Sequence, residues 1–209
     1  MTGMVEREAI PRHLMLTVLG RNPQIACYAL GGRQVEAQLA PLALIDLLPT
    51  AKQPHHVVAL CTSEARAESL PLLEAGLRDR CEVEPIDVPA GDSQDDVKRY
   101  LSVAAGAIPA DPGIELTVDV THGYRHFSYL TYLAVLYLVG LRGISLRGAY
   151  YGLLRPGAPS PFLDLRPLLA LPRWFHALEV LRETGSALPM AVAIGEGKQD
   201  QAARRIACE

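Results

Sequence analysis

Lysine is scarce in this chain: of 20 basic residues among 209, 17 are arginine. There is no surplus of positive charge either, since the formal net charge is −3. A protein that coats nucleic acid needs a basic face, so no direct DNA binding is expected. A local basic pocket stays open, because arginine's planar fork matches phosphate at two points. Zinc and disulfide frameworks are missing. Cys27, Cys61, Cys81 and Cys208 are widely separated, without a C-x-x-C pair, and neither metal nor cofactor is expected. The opening MTGMVEREAIPRH carries acidic residues and no apolar h-region, so no signal peptide is evident. The longest apolar run, YLTYLAVLYLVGL at 129–141, is thirteen residues, short of the roughly 18–20 that cross a bilayer. A cytoplasmic protein with no membrane partner is expected. No G-x-G-x-x-G follows the first strand, and no G-x-x-x-x-G-K-[ST] or G-x-S-x-G occurs, so dinucleotide, P-loop and hydrolase-elbow readings lack support.

Apolar residues make up 49% and charged residues 21%, enough for a sizeable core. Short apolar runs alternate with helical patterns. Strands are expected at 14–20, 56–61, 82–91, 114–120 and 144–154, with Pro85 placing the third near an edge. IACYAL and RQVEAQLA, parted by Gly31-Gly32, read as a β-hairpin. Helices are expected at 41–48, from Thr62-Ser63-Glu64 to about Arg80, from Ser93 to about 106, and at 126–141. Asp92, Asp95 and Asp96 read as helix-start carboxylates rather than metal ligands. His55-His56 reads as a polar lead-in to a strand. RPGAPSPF (155–162) reads as a loop, and 163–185 as a short connection followed by a helix.

The alternation implies an α/β fold: a Rossmann-like, mostly parallel sheet flanked by helices, with a β-hairpin insertion and a C-terminal helical extension. Residues 1–170 form the expected Rossmann-like domain. Residues 171–209 are expected to be a helical extension or the start of a further effector region. Ligands of such sheets sit beyond the carboxyl ends of the strands, at the switch in strand order. That singles out Gly20-Arg21-Asn22, Thr62-Ser63-Glu64, Gly91-Asp92-Ser93 and Thr121-His122-Gly123.

The stretch VDVTHGYRH at 118–126 runs a buried strand into Thr-His-Gly. Free backbone N–H groups and a helix start at that point attract anions. Gly123 permits close approach, Arg125 offers charge-assisted bonds, and His122 can donate or move a proton. In the plainer alternative, His122 caps its own helix and Arg125 is a solvated surface residue. Spacing alone leaves both open.

Asp119-Val120-Thr121-His122-Gly123 resembles the DxTHG motif of CRISPR-associated Rossmann-fold (CARF) proteins from type III systems. LTVLGRNPQIACYAL, VVALCTSEAR, VPAGDSQDDV, DVTHGYRHFSYL, AYYGLL and FLDLRPLLAL resemble further segments of that group, in order, over roughly residues 14–180. The resemblance implies a homodimeric allosteric sensor that binds a cyclic oligoadenylate across its interface in antiviral defence. The tetra-adenylate is favoured over the hexa-adenylate. Carried over position by position, Thr121, His122, Gly123 and Arg125 face the ligand, as do Gly20, Arg21, Asn22, Thr62 and Ser63. Gly91 and Ser93 are further positions, and Asp119 orders the turn.

No R-x-x-x-x-H sequence of a HEPN ribonuclease occurs; Arg173 is followed by His176 at the wrong spacing. A second reading is a ring nuclease that cleaves its ligand without metal by 2′-OH attack, with His122 and Arg125 as its catalytic residues. A third is an unrelated Rossmann-like nucleotide-binding enzyme.

Overall fold

The computed structural model describes residues 13–111 and 113–195. The opening segment, Pro112, the tail from residue 196 and Cys208 lie outside the described residues. The chain divides into two compact units, at Leu165/Arg166.

The first unit is built on an eight-stranded sheet. Its strands are β1 (His13–Val18), β2 (Ala26–Leu30), β3 (Arg33–Ala37), β4 (His56–Cys61), β5 (Glu82–Asp87), β6 (Glu115–Asp119), β7 (Ser145–Gly152) and β8 (Ser160–Asp164). Its helices are α1 (Ala40–Leu47), α2 (Ser63–Glu68), α3 (Leu70–Leu77), α4 (Gln94–Gly106) and α5 (Arg125–Arg142), with a 3-10 turn at Thr50–Lys52. The sheet order is β3-β2-β8-β7-β6-β1-β4-β5. β5, β4, β1, β6 and β7 are mutually parallel. β8 runs antiparallel to β7 and parallel to β2. This is the expected Rossmann-like α/β architecture.

β1 and β4, HLMLTV and HVVALC, are buried along their whole length. Continuous apolar runs of this kind belong to strands covered on both faces. One face packs Met15, Val57 and Ala59 against Leu44 of α1 and Leu73 of α3. Between α4 and α5, Tyr100 stacks on Phe127 at 4.5 Å, and its hydroxyl bonds Thr131 at 2.8 Å. β5 is an edge strand, where Pro85 needs no second ladder partner. The hairpin turn has Gly31 at φ 58° and Gly32 at φ 79°, the two left-handed residues of a type I′ connection.

Two expectations need correction. The helix expected to run to Arg80 breaks after Glu68 and restarts at Leu70. Pro71 lies in the first turn of α3, where its missing N–H is harmless and its ring discourages continuation from the preceding turn. The loop expected at 155–162 ends in a strand, because Ser160–Phe162 opens β8. Pro161 obscured it, since proline is uncommon within a strand.

The second unit contains α6 (Arg166–Thr184), with Pro172 inside it, and helical residues at 188–195. No helix among the described residues is long and apolar enough to cross a membrane.

Candidate functional site

In the parallel part of the sheet, β1 lies between β4 and β6. Among these parallel strands, chain order runs β1, β4, β5 toward one edge and β6, β7 toward the other. The strand order therefore switches between β1 and β6, and a crevice opens at their carboxyl ends. Leu19–Asn22 and Val120–Tyr124 are the loops that leave those ends.

These loops touch so closely that both need glycine. A Cβ on Gly20 would sit 2.8 Å from the Gly123 backbone nitrogen, and one on Gly123 would sit 2.7 Å from Val18 Cγ1. Gly123 also has φ +89°, which other residues rarely adopt. The β1 loop is tied down from α2 and α3. Ser69 Oγ donates to the Gly20 carbonyl at 2.6 Å, and Asn22 N–H donates to Glu68 Oε2 at 2.7 Å. Asn22 itself is left-handed at φ 53°, a conformation asparagine tolerates.

The β6 loop is organised from below by Asp119, fully buried at 0% exposure. Its carboxylate accepts from Thr17 Oγ1 at 2.8 Å, Thr121 N–H at 3.1 Å and Thr121 Oγ1 at 2.5 Å. Burial pushes the Asp119 carboxyl above its ordinary range; His122 and these hydrogen bonds oppose the shift. Thr121 Oγ1 also accepts from Gly152 N–H at 2.8 Å. Its hydroxyl is thus committed to joining β6 and β7.

His122 performs a task that spacing did not suggest. Its Nε2 accepts from the Ala40 backbone N–H at 2.9 Å. Leu39, the N-cap of α1, supplies no side-chain acceptor, so the imidazole caps that helix instead. The sequence alternative had it capping its own helix. Burial lowers the His122 pKa, while Asp119 raises it. The bond to Ala40 fixes the neutral tautomer with its proton on Nδ1. While it holds, Nε2 has no lone pair free to take a proton from a ligand.

Two concavities flank the Arg21–Asn22 tip. An inner pocket of about 210 Å³ is lined by Gly20, Arg21, Asn22, Thr62, Gly123 and Tyr124 among others. An outer cleft of about 690 Å³ takes in Arg21, Asn22, His122, Arg155, Ser160 and Glu36. Arg21 lies over the Tyr124 ring at 5.5 Å, and Tyr124 stacks on His126 at 5.7 Å. α5 begins beside the inner pocket with no side-chain cap and no acidic residue in its first turn. Its dipole is therefore uncompensated there and favours an anion.

The residues expected at a site are only partly gathered here. Gly20, Arg21, Asn22, Thr62, His122 and Gly123 line one concavity or both. Thr121, Ser63, Gly91, Ser93 and Arg125 line neither. Ser63 is an exposed first residue of α2, whose N-cap is Thr62, accepting from Ala65 N–H at 3.3 Å. Ser93 caps α4 by accepting from Asp96 N–H at 3.1 Å. Gly91 packs its loop on His126 and Phe127, where a Cβ would collide. Arg125 is exposed at the first position of α5.

Sequence reasoning missed Arg155, Glu36 and the part played by Tyr124. Arg155 follows β7, so the rule that chose the other loops could have found it. Glu36 enters only through the placement of β8 and the hairpin, which no local signal announces. Among the described residues, no group of three or more His, Cys, Asp or Glu side chains could hold a metal ion.

No known family profile matches the chain. Part of it is similar to the CRISPR-associated protein MJ1674 of Methanocaldococcus jannaschii, 28% identical over 69 residues, which is 32% of this chain. The match spans 11% of that protein's length, so the chain corresponds to only about a tenth of it. The likeness points to the CRISPR-associated proteins as a group with which this chain shares sequence.

Proposed function

We propose that this chain is a sensor domain that binds a cyclic oligoadenylate across a homodimer, in a type III CRISPR defence pathway in the cytoplasm. The observation that carries the reading is the contact of the Gly20 and Gly123 loops at the switch point, with a pocket on one side and a cleft on the other. Phosphate oxygens would meet Arg21, Arg155 and the start of α5, while Tyr124 offers an aromatic face to a base. A chain with net charge −3 can hold such an anion because the donors are local. α5 starts from the same loop and exposes Tyr129, Tyr137 and Leu141 at 63%, 40% and 79%. That apolar surface suits a two-fold axis bringing two copies of the loops together. The tetra-adenylate is the favoured ring.

The ring-nuclease reading is the weaker one. His122 Nε2 is engaged with Ala40, and Arg125 lines neither concavity, so neither proposed catalytic residue stands ready for 2′-OH attack. Incubation with cyclic tri-, tetra- and hexa-adenylate, followed by thermal shift and chromatography of the ligand, tests both readings. A shift with one ring recovered intact is expected. Loss of that ring would restore the nuclease reading, and absence of any shift would overturn the sensor.

A further inference from the structure

The outer cleft continues past the switch point. Taken in sheet order, its lining runs from Arg21 after β1, through His122 after β6 and Arg155 after β7, to Ser160 on β8 and Glu36 on β3. All lie along one edge of the sheet. β8 starts where β7 ends because the two are antiparallel, and the hairpin returns the last residues of β3 to that edge. Glu36 pairs directly with Cys27 of β2, and both line the cleft, as cross-strand neighbours on one face do.

Charge changes sign along this line. Arg21 and Arg155 stand toward the switch point, and among the described residues Glu36 is the one carboxylate of the lining, at the outer end. Apolar Ile25 and Leu154 also line the cleft, 70% and 51% exposed. A ligand made of phosphate alone would be repelled by Glu36. An ionised carboxylate only accepts hydrogen bonds, so it selects N–H donors. A nucleotide satisfies the whole lining, with phosphate oxygens for the arginines, a flat apolar ring for Ile25 and Leu154, and an amino group for the carboxylate.

Resting on the reading of this edge as a cyclic oligoadenylate site, we infer that Glu36 is a base-specificity residue, accepting the exocyclic amino group of an adenine. The β2–β3 hairpin is then a working wall of the site. It reads the base, while the loops of the parallel strands hold the phosphates.

The test titrates the full chain by calorimetry with cyclic tetra- and hexa-adenylate, and with the same rings built from purine riboside, which lacks that amino group. The native chain is expected to prefer the adenylate by on the order of tenfold or more, as for a hydrogen bond to a charged group. In Glu36→Ala the preference falls to about twofold or less, through weaker adenylate binding alone. Glu36→Gln keeps part of it, because its carbonyl still accepts. Glu36 is exposed on an edge strand, so the variants should unfold in urea as the native chain does. An undiminished preference in Glu36→Ala, or equal tightening of both rings, would make Glu36 a bystander charge and overturn the assignment. Equal tight binding of both rings by the native chain would also overturn it while sparing the sensor reading. No binding of any ring would remove both.

Discussion

The inner pocket and the outer cleft share Arg21 and Asn22 but are made in different ways. The inner pocket is a product of backbone: two loops pressed together through glycines, with the end of a helix beside them. The outer cleft is a product of topology, with side chains from β1, β6, β7, β8 and the hairpin brought to one edge. Substitutions in the first should therefore register as stability, and those in the second as affinity and selectivity.

The largest effect is expected at Gly123. Gly123→Ala introduces a methyl group 2.7 Å from Val18 Cγ1 at a φ of +89°, and strain plus overpacking should cost about 2–5 kcal/mol in urea unfolding. Asp119→Ala comes next. It strands the buried Thr17 hydroxyl and the Thr121 donors, for about 2–4 kcal/mol. Asp119→Asn should cost less, because an amide oxygen still accepts and the burial of a charge is relieved. If either glycine or aspartate variant kept native stability and lost only ligand affinity, the division between pocket and cleft would fail.

Acid sharpens the same comparison. Burial lowers the pKa of both His13 and His122 below the free value of 6.5. Below that value the unfolded chain takes up protons that the folded chain resists, so stability present above about pH 6.5 is lost as pH falls toward the folded pKa values. Urea midpoints measured downward from pH 7 should decline, and His13→Asn should flatten part of that decline. The smallest change in stability is expected at the cleft. Arg155→Ala, at an exposed position, should stay within about 0.5 kcal/mol of the native chain, yet weaken ring binding on the order of tenfold.

Backbone-made features were the more legible in the sequence. The parallel strands, the Gly31-Gly32 hairpin and the helix starts near Thr62 and Ser93 all follow from local residue chemistry. The failures were non-local. Nothing in His122 itself announces a partner in the first turn of α1, 82 residues away. Pro161 hid β8, and with β8 went the position of the hairpin and any view of Glu36. Thr62 and Ser63 are neighbours of equal polarity, yet one caps a helix beside the pocket and the other faces solvent. That choice depends on where the helix begins.

The central position of β1 has a consequence for the birth of the molecule. β1 is synthesised before both of its sheet neighbours, β4 and β6, and its Thr17 hydroxyl waits for Asp119, 102 residues later. At the usual pace of a ribosome that delay is roughly 5–20 s. Throughout it HLMLTV is an apolar strand with an unpaired side, open to any neighbour that offers a matching edge. Slow synthesis or crowding of nascent chains should therefore lower the yield of folded protein before any property of the finished site comes into play.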